Sequence, residues 1–277
     1  MDIGKKQQLK VTRRVDFGLY LTDTDGNEVL LPKNQIHEDV SVDDTLSVFV
    51  YRDSHDRPIA TLKEPRMTLG KIGRCKVVEV GRIGAFLDWG LEKDLLLPFK
   101  EMTTSLTQGM EIPVALYVDK SNRLCATMKL YRYLDTASGI AKGDNVTGTV
   151  YEISDDFGAF VAIDDKYQGL IPRREMVSTL HVLDVVKARV TAVKSDGKID
   201  LSLKEPAHIQ MDIDADRLIK LMRASGGRLD FNDKASPEVI GKATDMSKNE
   251  FKRAVGRLLK LRLIEIRKDS IILIKEP

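Results

Sequence analysis

Up to about residue 206 the apolar positions fall in short runs that alternate with polar ones. Gly, Asp, Asn and Lys break the runs, and this is the pattern of β-strands and turns. It is clearest late in the segment, as "NVTGTVYEI", "GAFVAI", "QGLIP", "VVKARVTAV" and "KIDLSL". Five short strands are too few for a sandwich but suit a small, partly closed barrel of the oligonucleotide-binding (OB) kind. Beyond residue 207 the period lengthens. "IDADRLIKLMRAS" places Ile213, Leu218, Leu221 and Met222 at helical spacing and stops at Gly226-Gly227. "SPEVIGKAT" offers Ser236 as N-cap and Pro237 at the first helical position. "SKNEFKRAVGRLLKL" opens with a Ser247/Glu250 capping box and has an apolar stripe of Phe251, Val255, Leu258 and Leu259. Two strand-like runs, "LIEI" (263–266) and "SIILI" (270–274), follow. Three helices and a hairpin predict a winged helix.

The β region is internally repeated. The motifs "VDFGLY", "GRIGAF" and "DDFGAF" place glycines at 18, 84 and 158, and each has a proline fourteen residues on, at Pro32, Pro98 and Pro172. A basic residue then opens a last strand in "RPIATL", "RLCATM" and "KIDLSL". The third copy is one residue longer, an insertion assigned here to "VKSDGK". The expected fold is mainly β with a C-terminal α/β domain. Three tandem OB barrels over 1–65, 66–137 and 138–206 precede a winged helix over 207–277.

Alternation within the strand after each glycine sends Leu19 and Leu21, Ala85 and Leu87, and Ala159, Val161 and Ile163 inward. Tyr20, Phe86 and Phe160 are then expected at the surface, as platforms on which unpaired bases stack. Phe157 and Phe160 are three apart and would face opposite ways. A bulge at Gly158 would bring both to one side, and Phe17 with Tyr20 in the same manner. The second copy has Ile83 instead and offers one ring. Arg57, Arg123 and Lys198 open the last strands and could meet phosphates or, for the arginines, bases. Arg173 and Arg174 add charge after the third proline.

Net charge is +2 overall, but it is distributed as −3, +3, −2 and +4 over the four expected domains. An electrostatic footprint for a polyanion is therefore local, and the tail is its first candidate. The third helix, 247–262, carries Lys248, Lys252, Arg253, Arg257, Lys260 and Arg262 against Glu250 alone, and Arg267 and Lys268 sit between the two final strands. Such a helix can enter a duplex DNA groove or follow an RNA backbone. No apolar run approaches a membrane span, and the N-terminus lacks the apolar core of a signal peptide. Cys75 and Cys125 make neither a disulfide framework nor a zinc site.

With these residues in place, "GDNVTGTVYEISDDFGAFVAI…QGLIPRREM…KIDLSLKEP" resembles the RNA-binding repeat of ribosomal protein S1, and the two earlier copies resemble degenerate versions. The order of three repeats and then "SPEVIGKATDMSKNEFKRAVGRLLKLRLI" resembles the bacterial conserved virulence factor B family. The resemblance implies a cytoplasmic RNA-binding protein that acts post-transcriptionally, with single-stranded RNA as partner. It also implies RNA contacts by the rings around each glycine and by an Asp…Arg pair. Here those pairs are Asp53 with Arg57 and Asp119 with Arg123, while the third copy has Lys198, with Asp196 displaced by the insertion. A histidine that contacts RNA in such repeats is replaced by Pro32, Pro98 and Pro172.

No phosphate-cradling loop or nucleophile elbow is present, and His37, His55, His181 and His208 lack ligand spacing. The acid doublets Asp155-Asp156 and Asp164-Asp165 could hold Mg²⁺ but sit where turns are expected. The sequence therefore predicts a non-enzymatic binding protein without metal, cofactor or small-molecule substrate. Duplex DNA (through the tail) and the ribosome or another protein are the alternative partners.

Overall fold

A computed structural model describes residues 1–36, 40–136, 139–176, 179–204 and 207–274. The expected boundaries at 137/138 and 206/207, and His37, lie outside the described residues. The chain divides into two compact units, Met1–Leu203 and Lys204–Pro277.

The first unit holds three five-stranded modules. Module 1 comprises β1 (Lys6–Val15), β2 (Gly18–Thr22), β3 (Glu28–Pro32), β4 (Thr45–Arg52) and β5 (Pro58–Thr61), closed as a barrel in the order β1-β2-β3-β5-β4. Module 3 repeats this closure with β11 (Asn145–Ser154), β12 (Gly158–Ile163), β13 (Tyr167–Pro172), β14 (Val185–Val193) and β15 (Ile199–Ser202). Both close through a short parallel pairing, Leu30 with Ile59 and Gly169-Leu170 with Ile199-Asp200. Module 2 has β6 (Ile72–Val80), β7 (Gly84–Asp88), β8 (Leu95–Pro98), β9 (Glu111–Val118) and β10 (Leu124–Thr127). Its order, β10-β9-β6-β7-β8, leaves a sheet open between β8 and β10.

The inward set is as alternation requires. Leu19, Leu21, Ala85, Leu87, Ala159, Val161 and Ile163 are all fully buried. The glycine of each motif starts its strand opposite the proline, in the pairs Gly18–Pro32, Gly84–Pro98 and Gly158–Pro172. A Cβ at Gly158 would stand inside contact distance of the Ile171 carbonyl oxygen and 2.7 Å from the Arg173 nitrogen, and φ there is +113°. Gly84 is held in the same way against the Leu97 carbonyl.

The bulge is not at the glycine. It lies on the facing strand, where the register slips between Val11 and Arg13, Val77 and Glu79, and Val150 and Glu152. Phe17 and Phe157 precede their strands, so the turn rather than a strand bulge aims them. The extra residue of module 3 is also not in "VKSDGK". It is taken up by a bulge in β14 between Val190 and Ala192, where the pairing of the first two modules is regular.

The modules pack on one another. Phe49 and Tyr51 of module 1 meet Trp89 of module 2 with ring centroids 5.8 and 6.2 Å apart. Between modules 2 and 3, Ala115, Leu130, Leu134, Tyr151 and Ala162 form one buried cluster. That neighbour explains why Ala162, on the outer face of β12, is fully buried. Arg74 clasps both oxygens of Asp165 at 2.5 and 3.0 Å and donates to the Thr149 hydroxyl. One of the acids considered for Mg²⁺ is therefore part of this junction.

The second unit is a winged helix. α1 (Ala207–Ala224), α2 (Pro237–Thr244) and α3 (Lys248–Lys260) pack with the sheet β16-β18-β17, formed by β16 (Arg228–Leu229), β17 (Ile264–Ile266) and β18 (Ile271–Leu273). Ser236 caps α2, and the Ser247/Glu250 box caps α3. The core uses Ala215, Leu218, Ile219 and Met222 of α1 and Phe251, Ala254, Val255 and Leu258 of α3. Ile213 and Leu259, expected in the stripes, are 48% and 39% exposed because they sit at the margin of each face.

Replacing Gly158 with Ala should lower stability by about 2 kcal/mol or more, since it combines an unfavourable φ with a backbone collision. Thermal unfolding checks this; an unchanged melting temperature would contradict the close approach.

Candidate nucleic-acid interface

In module 3 the turn before Gly158 leaves Phe157 62% exposed, while Phe160 on β12 is half-buried. Their centroids are 6.4 Å apart, so the two rings share a face. Phe160 is also flanked by Tyr151 at 6.2 Å and Tyr131 at 6.3 Å. Tyr151 is the bulge residue of β11, and Tyr131 lies in a single 3-10 turn, Leu130–Tyr133, that follows module 2. The four rings line a half-open cavity of about 300 Å³ together with Gln168, Leu170, Lys194, Lys198 and Ile199. That volume is at the lower end of ligand pockets.

The cations at this rim were only partly legible. Lys198 was expected. Lys194 does not stand out from spacing, because the extra residue lies in β14 and not in the hairpin. With the bulge in β14, Lys194 closes the β14–β15 hairpin as Asp53 and Asp119 close theirs: Lys194 N donates to Lys198 O, as Asp53 N does to Arg57 O and Asp119 N to Arg123 O. Module 3 thus carries Lys where modules 1 and 2 carry Asp, and Asp196 is not a displaced counterpart. Lys198 pairs with Asp196 at 2.8 Å; this bond, then one to the Tyr131 hydroxyl, raises its pKa and keeps it cationic. Lys194 pairs with Asp200 at 3.0 Å. Arg173 holds the Asp155 carbonyl at 3.0 Å, and the Arg174 side chain is 85% exposed beside Glu175.

The other two modules present the same face differently. In module 1, Phe17 is 57% exposed and lies edge-on to Tyr20 at 6.4 Å. The Arg13 guanidinium, cross-strand from Tyr20, covers that ring at 3.9 Å. Arg57 is bound to Asp53 through Nε and Nη2 at 2.9 and 2.7 Å. Desolvation raises the Asp53 pKa, but the Arg57 hydrogen bonds more than offset this and bring it to about 2. Module 2 turns its face to module 1. Phe86, Asp94, Leu96, Arg123 and Leu124 border a cavity of about 250 Å³ whose other wall is Tyr51, Arg52, Ser54 and Asp56. Asp56 takes Arg123 at 2.5 Å, and Lys93 reaches the Asp53 carbonyl at 2.7 Å. Tyr20, Phe86 and Phe160 are thus half-covered rather than at the open surface.

Both cysteines are buried, and burial raises Cys75 to about 12 and Cys125 to about 11, so neither is a nucleophile at neutral pH. Among the described residues, no helix is long and apolar enough to cross a membrane.

In the winged helix, Lys252, Arg253 and Lys260 are exposed on α3, Lys248 is half-buried, and Arg262 follows the helix. Arg257 instead reaches Asp212 of α1 at 2.6 Å. The turn between β17 and β18 carries Arg267, 3.5 Å from Glu265, and Lys268, whose carbonyl accepts from Asn232.

Residues 3–63 and 69–129 match the S1 domain, residues 140–204 the S1 RNA binding domain, and residues 216–273 the CvfB-like winged helix domain. The protein is thus built of three S1 domains, which indicate nucleic-acid binding, followed by a winged helix. The uncharacterized protein YitL of Bacillus subtilis is 31% identical over 93% of this chain and 89% of its own length. Conserved virulence factor B of Staphylococcus aureus is 26% identical over 99% of this chain and 95% of its own. A Streptococcus pneumoniae crystal structure, described as a multidomain protein with nucleic acid binding domains, covers 98% of both chains at 25% identity with a TM-score of 0.51. The chain belongs to the conserved virulence factor B family.

Trp89, the only tryptophan, is 2% exposed and donates from Nε1 to the Lys93 carbonyl at the junction of modules 1 and 2. Its emission should be short in wavelength and resistant to acrylamide. Emission like that of free indole would show the junction to be open.

Proposed function

We propose that the protein is a non-catalytic, single-stranded RNA-binding protein of the bacterial cytoplasm that acts in post-transcriptional control. Its main contacts lie in module 3 and the winged helix. The observation that carries this reading is the four-ring cavity of module 3 rimmed by Lys194 and Lys198. Rings take the faces of unpaired bases, and cations follow the backbone. Phe157, Phe160 and Lys198 serve there, with Arg173 and Arg174 beside them. Phe17, Tyr20, Arg57, Phe86 and Arg123 contribute less, since Arg13 covers Tyr20, Asp53 holds Arg57, and the module 1 hairpin holds Arg123. In the tail, Lys248, Lys252, Arg253, Lys260, Arg267 and Lys268 add phosphate contacts. Arg257 acts mainly as a brace to α1. Because both regions are on one chain, engagement of the second is intramolecular once the first is bound.

A second reading is a duplex DNA regulator led by α3, favoured by the exposed Lys252, Arg253 and Lys260. The two readings separate in one titration of the full chain. RNA binding predicts that a single-stranded oligoribonucleotide outcompetes duplex DNA and that affinity falls with salt. Phe157→Ala should weaken RNA binding about five- to tenfold, the loss of one stacked base. Because Phe157 is exposed, the melting temperature should hold. A salt slope near zero, or unchanged affinity in Phe157→Ala, would overturn the RNA reading.

A further inference from the structure

The cavity of module 3 is not made by module 3 alone. Tyr131 lies outside both stretches that match S1 domains, 69–129 and 140–204. Yet its ring stands edge-on to Phe160, at 6.3 Å and 89°, and is 44% exposed at the cavity mouth. The segment around it is strapped to module 3. Gln168 Nε2 donates to the carbonyls of Tyr131 and Leu134 at 2.8 and 3.3 Å. Asp135 pairs with β13 through two backbone hydrogen bonds, from Asp135 N to Lys166 O at 2.7 Å and from Gln168 N to Asp135 O at 3.1 Å. Leu130 and Leu134 are buried with Tyr151 and Ala162.

The strap has left a trace in the sequence of the hairpin it crosses. The turn position with positive φ is Asp56 in module 1 and Asn122 in module 2, at +60° and +62°. In module 3 it is Gly197, at +82°, where a Cβ would collide with the Thr136 carbonyl. Only a residue without a side chain lets the strap pass. The lining also carries two polar atoms without partners. Gln168 is 9% exposed and Tyr151 2%, and among the described residues Gln168 Oε1 and Tyr151 Oη are buried with no hydrogen-bond partner. Buried polar groups are normally satisfied.

We propose that Tyr131, delivered by the segment after module 2, completes a composite site in which one unpaired nucleobase is held between Tyr131 and Phe157 over Phe160. The base edge supplies the hydrogen bonds that Gln168 Oε1 and Tyr151 Oη lack, and Lys194 and Lys198 take the flanking phosphates. This rests on the RNA reading above and adds to it that modules 2 and 3 form one binding unit.

The test uses the full-length protein and a labelled single-stranded oligoribonucleotide, with affinity measured across a salt series. Tyr131→Ala should bind about tenfold more weakly, the loss of one stacking partner. Its salt slope should match that of the wild type, because no phosphate contact is removed. Tyr131→Phe should retain nearly full affinity. Gly197→Asn, which gives module 3 the residue of module 2 and displaces the strap without touching a ring or adding a charge, should reproduce the loss. Tyr131→Leu keeps an apolar side chain at the junction and guards against simple unfolding. If it melts and binds like the wild type, the ring has only a packing role and the inference fails. If Tyr131→Ala binds normally while Phe157→Ala does not, the composite site fails and the RNA reading stands. If both bind normally, the RNA reading fails as well.

Discussion

At the start of each motif strand the backbone comes so close to the strand across from it that no side chain fits. At Gly158 the space for a Cβ is taken by the Ile171 carbonyl, and at Gly18 and Gly84 by those of Leu31 and Leu97. This approach sets the turn, and the turn sets the aim of the preceding residue. The Phe157 carbonyl accepts from Arg173 N, just as that of Phe17 accepts from Lys33 N, which fixes the residue before the glycine on the outside of the barrel. A ring placed there is exposed by geometry and not by lack of apolar neighbours. The ring two residues after the glycine faces the same side by the regular alternation of its own strand, and the bulge lies on the strand opposite it. Two rings three residues apart share a face because a turn aims the first and alternation the second.

The same frame has three outcomes. Module 1 covers its inner ring with Arg13, module 2 faces the hairpin of module 1, and module 3 keeps a cavity. The difference comes from a few side chains on one scaffold. Tyr151 occupies the bulge where Thr12 and Val78 stand, and Lys194 occupies the hairpin position of Asp53 and Asp119. The Asp-to-Lys exchange replaces an acid that would repel phosphate with a cation, while Asp196 takes over the pairing with the strand-opening Lys198. The fold alone therefore does not decide which module binds; the outer-face residues do.

Much of this architecture was readable from spacing. The glycine-to-proline interval, the alternation after each glycine and the capping signals of α2 and α3 specify local geometry directly, and all appear in the structure. What failed depended on neighbours. Ala162 reads as outward and is buried because module 2 lies against it. Arg123 reads as a phosphate contact and is held by Asp56, because alternation gives a residue its face but not what covers that face. Spacing alone puts the insertion in the hairpin, since loops usually absorb extra residues, whereas a bulge in β14 absorbs it; that one-residue shift hides Lys194. Tyr131 was invisible because it belongs to no repeat, and its only mark is Gly197, legible once the hairpins are aligned correctly.

The passage of Thr136 over Gly197 also gives the array a direction. In modules 2 and 3 alike, residues that precede the module finish its face: Asp56 of module 1 for Arg123, and Tyr131 of the segment after module 2 for Phe160. Units joined in this way are not interchangeable beads. Copying, deleting or transplanting one module would strip the next of its partner or leave a strap with nothing to cross. The order of the repeats is thus a physical property of the chain, fixed by side chains that serve the neighbour rather than the module that carries them.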